Sequence, residues 1–476
     1  MKPATFLAAI LLAFTSAFEA SRAEDWPAYH HDNRRSGVTG ESLKLPLAQA
    51  WVYSSPAPPQ PAWPGPAKWD AYSNVLRLKS MRDFDAVFYV TAAGGAAFFG
   101  SSVDDALHCL DAKTGREKWA FCTDGPVRLP PACSNGKVYF GSDDGCVYCL
   151  DAVTAKLVWR YRHADEDRLI PSNGKMISLW PCRTDVLVQD GKAYFAASLL
   201  PWNPSYLCCL DAETGVPLYK VAHGKCTLQG PMLASATKLY ASQGRLPPLV
   251  FDRATGQVSV KLRTHGGVYA ILTEDDVLFQ GRGQKKQGDG ELRAFDARTG
   301  DYITAFPTAS CVVVTKKAAY LHDLKELRAF DALAYLGQQQ HRDLAALTSR
   351  REDIQRALSK LGKDKDGPEG KKLQAEIKDV EARRAEIEKG MKDKWQQCLK
   401  WRVDSSYPYS LILAGDVLVA GGANEVAAFN ASTGEKVWRA AVVGKAYGLA
   451  VANGALFAST DAGKIYCFIP TDPTRP

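Results

Sequence analysis

Short apolar runs rich in aromatic and β-branched residues alternate along this chain with polar turns built from Gly, Asn and Asp. A turn at Asn135-Gly136 leads into the run Val-Tyr-Phe-Gly-Ser. Asp143-Asp144-Gly145 follows, and then a second run from Cys146 to Asp151. Runs of this kind bounded by turn residues read as strands joined in hairpins. The same phrase closes each pair: an apolar residue, Asp-Ala-x-Thr-Gly, then Trp or another apolar residue a few positions on. Copies begin at Leu110, Leu150, Leu210, Phe251, Phe295 and Phe429, with a degenerate one at Phe330. Recurrence at roughly 40 residues marks a repeat architecture. Asp111, Asp151, Asp211, Asp252 and Asp296 read as turn-makers, since an Asp carboxylate accepts nearby backbone N–H groups and Gly takes positive φ.

A further apolar segment precedes each pair, as in TDVLV before Gln189 and GLAVA before Asn453. Four strands per repeat make a propeller blade. The two middle strands recur eight times, near Phe98/Leu107, Tyr139/Tyr148, Tyr194/Tyr206, Tyr240/Val250, Phe279/Leu292, Tyr320/Leu327, Leu418/Val426 and Phe457/Tyr466. The outer strand also recurs eight times, at Trp51, Trp119, Trp159, Tyr219, Val260, Ile303, Trp401 and Trp438. That set is shifted by one: it opens the chain and is missing after Phe468. The chain is therefore expected to be all-β, an eight-bladed β-propeller of four-stranded antiparallel blades. Its first outer strand completes its last blade, which leaves no free sheet edge. The Trp residues are expected between neighbouring blades. Cys109, Cys149, Cys209 and Cys467 share a small-residue position with Ala294, Ala329 and Ala428, as expected of residues packed inside the sheet stack.

The repeat breaks once, after Phe330-Asp331-Ala332. Leu344, Leu347, Arg351, Ile354, Leu358 and Leu361 alternate spacings of three and four, as do Leu373, Ile377, Val380, Arg384, Ile387 and Met391. Between them Gly362 to Gly370 breaks the helix. This predicts an antiparallel α-helical coiled-coil hairpin over 333–397, inserted in blade six. Arms of about 25 residues reach roughly 35–40 Å at 1.5 Å per residue. The insertion interrupts a turn on the Asp-Ala-x-Thr-Gly face, so the hairpin is expected to project from the face away from any pocket, as a strut or a docking arm.

Composition adds location. Residues 1–23 read as a signal peptide: Lys2, an apolar stretch from Phe6 to Phe14, and small residues before position 24. No Cys precedes Cys109, which argues against an N-terminal lipid anchor. No later run has the ~20 apolar residues of a membrane span. Residues 24–476 are thus expected to form a soluble periplasmic or secreted propeller. The 59 Lys and Arg against 52 Asp and Glu give a net charge of +7, with no dense basic stripe to suggest nucleic acid. Twelve cysteines allow disulfides in an exported chain. Cys122 and Cys133 flank one inter-blade connection and are the first pair to test.

Candidate chemistry falls in the loops that do not repeat: Arg162–Arg183, Leu199–Ser205 and Gly281–Gly290. Aligning the innermost strands on their turns brings Arg128 and Arg183 to one repeat position, with Gln229 and Tyr407 equivalent. Tyr269 and Tyr409 share another, and Tyr447 falls between. With Trp180, these residues are candidates for holding an anionic or planar ligand, or for plugging the channel. No catalytic set and no metal-ligand spacing accompanies them.

Blades of the form VYFGSDDGCVYCLDAVTAKLVW (Val138–Trp159) resemble the PQQ-like (pyrroloquinoline quinone) repeat of the exported, quinoprotein-dehydrogenase-like superfamily. The start of the mature chain, DWPAYHHDNRRSGVTG (Asp25–Gly40), resembles the opening of exported members. The resemblance covers nearly all of the mature chain except Pro56–Pro66 and the hairpin. It implies one of two roles. Quinoprotein dehydrogenases of alcohols or sugars hold the quinone and Ca²⁺ at the propeller axis, with a carboxylate base and a disulfide between adjacent cysteines. Others bind no cofactor, as in envelope assembly of outer-membrane proteins. Cys208 and Cys209 are adjacent, yet lie within one predicted strand, where successive side chains point to opposite faces. No ligand set or base transfers. The expectation is a non-catalytic scaffold for a protein or ligand, without cofactor; PQQ and Ca²⁺ belong to the dehydrogenase alternative.

Overall fold

The structure, a computed structural model, describes residues 23–64, 82–164, 166, 168–244, 246–262, 266–283, 291–307, 309–332, 334 and 339–471. The expected signal peptide, apart from its last residue, and residues 284–290 of the third loop lie outside the described residues.

The chain is mostly β. Six separate four-stranded antiparallel sheets follow one another, each a simple meander resembling a propeller blade. The first runs Thr91–Ala93, Ala96–Ser101, Ala106–Asp111 and Glu117–Cys122. The others span 132–162, 187–223, 233–261, 269–307 and 309–404. A larger sheet holds two more such units, because the long strand Lys436–Ala452 closes unit seven and opens unit eight. Unit eight takes its outer strand from the start of the chain: Leu47–Ser54 pairs antiparallel with Lys464–Pro470, Trp51 opposite Cys467. The shifted count of outer strands has this physical origin.

The repeated turn does what its residues dictate. In unit two, Asp151 Oδ1 accepts the Thr154 N–H at 2.8 Å and its hydroxyl at 2.7 Å. Asp111, Asp211 and Asp252 repeat that pattern on Thr114, Thr214 and Thr255. The turn is also the joint between units. Trp119 donates its indole N–H to the Ala152 carbonyl at 3.3 Å, Trp159 to Ala212 at 2.9 Å, and Trp401 to Ala431 at 3.0 Å. Each acceptor belongs to the Asp-Ala step (Asn-Ala in unit seven) of the next turn. The turn glycine then lies under the ring: a Cβ on Gly115 would stand 2.5 Å from the Trp51 indole, and one on Gly215 2.7 Å from Trp159. Only a residue without a side chain, at φ +70 in Gly115, fits there.

The core lies between consecutive sheets. Phe98, Leu107 and Cys109 of unit one pack on Val138, Phe140 and Tyr148 of unit two. Similar clusters link each following pair, and the cluster around Phe457 and Phe468 of unit eight includes Ala97, Phe99 and Leu110 of unit one. Cys109, Cys149, Cys209 and Cys467 are buried there as expected.

The insertion forms a long helix pair, α1 (Gln339–Lys360) and α2 (Pro368–Cys398). Ile354, Val380 and Met391 are buried along the seam, and Arg351 pairs with Glu381 at 2.9 Å across it. Its two ends meet: the Asp331 N–H donates to the Cys398 carbonyl at 2.9 Å. The pair does not stand free. Helix α1 packs along Tyr302–Pro307, the outer strand of unit five. A cleft of about 1110 Å³ between them is lined by Arg293, Tyr302, Glu352 and Arg384. Among the described residues no helix is long and apolar enough to cross a membrane.

Candidate functional site

The sheet stack has two ends. The turn face carries the Asp-Ala-x-Thr-Gly turns, and the loop face carries the irregular loops. A segment from outside the repeat lies against each of them.

At the turn face, residues 24–42 lie across the ends of the innermost strands. Trp26 and Ala92 exchange backbone hydrogen bonds, Cys133 donates to Pro27, Ala234 to Asn33, Leu272 to Arg34, Leu413 to Gly37 and Asn453 to Glu24. Asn33 donates to the Val188 carbonyl at 2.8 Å. Val38–Thr39 also pairs in parallel with unit seven. Arg35 points inward, 1% exposed, onto the Asp185 carboxylate and the Met232 carbonyl. His30 is half-buried near it; burial, aided by Arg35, pulls its pKa down to about 4.

At the loop face the stopper is residues 60–63 with 82–85. Arg128 Nε donates to Asp143 at 2.7 Å, and its Nη1 donates to Asp85 at 3.1 Å and to the Gln60 carbonyl. Arg183 donates twice to Asp143, both at 3.0 Å. All four ionic side chains are buried. Burial alone would raise the Asp143 carboxyl, but the two guanidiniums outweigh it and hold it below the ordinary range. Trp63 lies over this cluster. Its indole N–H donates to Gln229 Oε1, with Arg183 5.6 Å and Arg82 4.8 Å from the ring. Asn173, at the tip of a small hairpin formed by Leu169–Ser172 and Lys175–Ser178, holds the Ala62 carbonyl at 3.0 Å.

Arg128, Arg183 and Gln229 therefore do converge, as their shared register predicts, and the group they hold is Trp63 of the same chain. Trp180 stands apart, donating to the Pro204 carbonyl at 3.0 Å and packing near Tyr206. The Tyr269 hydroxyl bridges the Val312 N–H and carbonyl, both at 2.9 Å, and so caps the inner edge of unit six. Tyr407 bonds Glu425, and Tyr409 packs on Tyr447 with ring centroids 4.9 Å apart. Sequence reasoning missed Trp63, Asp85, Asp143, Arg35 and Asp185. Trp63, Asp85 and Arg35 lie outside the repeat, where register has nothing to compare, whereas Asp143 sits in the repeated second turn and Asp185 two residues after Arg183, so their positions were legible but not their partners; Arg35 sits in the DNRRSG stretch noted for its resemblance.

The open space lies elsewhere than expected. A cleft of about 1070 Å³ opens on the turn face between the N-terminal segment and units four to six, with His31, Arg34, Glu274, Lys316 and Tyr320 in its wall. Ala332, where the insertion begins, also lines it. The hairpin thus shares its face with the large cavities instead of pointing away from them.

Quinone and Ca²⁺ do not fit the residues present. Trp63 occupies the space beside Arg183 and Gln229, and the nearby carboxylates, Asp85 and Asp143, are paired with arginines. Among the described residues no group of His, Cys, Asp and Glu is arranged to hold a metal ion. Cys208 and Cys209 are free thiols on opposite faces of one strand, in different core clusters. Cys122 and Cys133 are also free, the former exposed.

Stacked four-stranded meanders stitched by a recurrent turn define a blade-repeat protein of the propeller type. Among these the chain is similar to the PQQ-like repeat family: the family model described as outer membrane protein assembly factor BamB matches residues 65–197 and 392–472. Solved structures share the fold at low identity. A quinohemoprotein alcohol dehydrogenase from Comamonas testosteroni aligns with a TM-score of 0.56 and 14% identity, over 95% of this chain and 82% of that one. A europium-containing methanol dehydrogenase gives 0.55 and 12%, over 94% and 98%. A computationally designed protein, Ika8, gives 0.53 and 11%, over 81% and 96%. No curated protein matches the chain by sequence.

Proposed function

We propose that the chain is an exported, non-catalytic binding scaffold: an eight-bladed ring over residues 24–476 that follows a signal peptide and carries the 333–397 hairpin. The observation that supports this reading best is the double closure of the centre. Residues 24–42 cover the turn face, and Trp63 with its arginines covers the loop face, so the axial space that a dehydrogenase would give to its cofactor holds the protein's own side chains. Binding is then assigned to the periphery: the loop tips, the turn-face cleft and the helix pair. The match to a family model named for outer-membrane protein assembly favours a partner within the cell envelope.

Photo-crosslinking residues placed at Trp202 on the loop face and at Ser359 on the hairpin test this reading in the native envelope. A discrete protein adduct at either position supports it. No adduct at both, together with quinone-dependent dye reduction by the purified protein, contradicts it.

A further inference from the structure

The loop-face stopper hangs on one carboxyl group. Asp85 Oδ2 accepts the Ala62 N–H at 2.7 Å and the Arg128 Nη1–H at 3.1 Å. Asp85 is 2% exposed, and its second oxygen, Oδ1, is buried without a hydrogen-bond partner among the described residues. The same Arg128 Nη1 reaches the Gln60 carbonyl, so one carboxyl and one guanidinium hold both ends of the Gln60–Ala62 step that delivers Trp63. Among the described residues the charged groups facing Asp85 from the neighbouring elements are Arg128, Arg183 and Asp143. Asp143 is already shared by both arginines. Asp85 thus bonds one guanidinium that it shares with Asp143 and feels the second, Arg183, only through space, and an ionised carboxylate with an orphaned oxygen is costly in such a place.

We propose that Asp85 is a proton-operated latch on the stopper: the Gln60–Trp63 segment is held shut when the carboxyl is protonated and is loosened when it ionises. A neutral carboxyl still accepts the Ala62 N–H and relieves the uncompensated charge. Burial, against the pull of Arg128, the Ala62 N–H and Arg183, raises its pKa to about 6 in the closed form. Once the segment lifts, the carboxyl is hydrated and returns to about 4. A raised value in the closed state means that closure binds the proton more tightly. Closure is therefore strongest below about pH 4, weakens as pH rises towards 6, and levels off above it. Two pH units of difference correspond to at most an approximately 100-fold change in the opening equilibrium. This inference concerns access to the space beneath Trp63 and does not depend on what the protein binds.

Amide hydrogen exchange of the peptide containing Ala62 and Trp63, measured from pH 4 to 8 and corrected for intrinsic rates, tests it on the full chain. Wild type is expected to lose protection by up to about 100-fold, with the change ending near pH 6. Asp85→Asn, which keeps the acceptor but cannot ionise, is expected to stay protected throughout. A flat wild-type profile, or an Asp85→Asn profile with the same slope, overturns the proposal. If the variant does not fold, the wild-type inflection decides: a midpoint near 4 rather than between 4 and 6 also overturns it.

Discussion

Arg183 and Asp185 stand one residue apart and hold opposite stoppers. Arg183 pairs with Asp143 beneath Trp63 at the loop face, whereas Asp185 pairs with Arg35 of the N-terminal segment. A single short stretch before the first strand of unit three thus anchors both closures.

The Arg35–Asp185 pair is buried, with side chains 1% and 3% exposed. Removing one partner leaves the other charge uncompensated, a loss of about 3–5 kcal/mol. Arg35→Ala and Asp185→Ala are expected to lower unfolding stability by that order in urea denaturation, and the Arg35→Met/Asp185→Leu double variant by much less. Equal losses in all three would show that the segment is held mainly by its backbone bonds.

The turn glycines separate two costs. Gly136, at φ +72, has nothing within 4 Å of where a Cβ would be, so Gly136→Ala carries only the left-handed backbone penalty, roughly 1–2 kcal/mol. Gly115→Ala adds a collision with the Trp51 ring, a further ~1–3 kcal/mol of overpacking. Thermal unfolding of the two variants is expected to rank them in that order.

His108 sits between Glu117 at 2.9 Å and Asp104 at 3.0 Å, against Phe99 and Tyr53 where units one and eight meet. Burial favours the neutral ring, but the two carboxylates outweigh it and raise the pKa. The imidazolium therefore stabilises the fold fully below about 6.5, and that contribution is lost as pH rises through the higher folded value. The stability difference between wild type and His108→Gln should shrink across that window. A difference that is constant with pH would assign His108 to packing alone.

The insertion is expected to be removable. Its ends meet at Asp331 and Cys398, and Phe330 pairs directly with Leu399 in the sheet. Replacing residues 339–397 by a short Gly-Ser link should leave unit six folded, with far-UV circular dichroism losing helical signal and retaining its strand signal. Loss of cooperative unfolding would show instead that α1 supports unit five.

What could be read from sequence follows from periodicity. The strands, the turn chemistry of Asp151 and Thr154, the inter-unit place of Trp159 and the seam of Ile354 and Val380 all recur at fixed spacing, so each copy corroborates the rest. Register also brought Arg128, Arg183 and Gln229 together. It could not supply Trp63 or Arg35, which come from segments outside the repeat and meet their partners across 166 and 150 residues. Nor could it show that the hairpin folds back on unit five, because that contact depends on the exit angle of the linkers and not on the heptad pattern.

Equilibrium titration of the purified full chain with PQQ in the presence of Ca²⁺, followed by quinone absorbance and calorimetry, tests the central claim most directly. With both ends of the stack occupied by Arg35 and Trp63, no stoichiometric binding is predicted, and no dye reduction with alcohols or sugars. Tight one-to-one binding of the quinone with turnover would contradict the account.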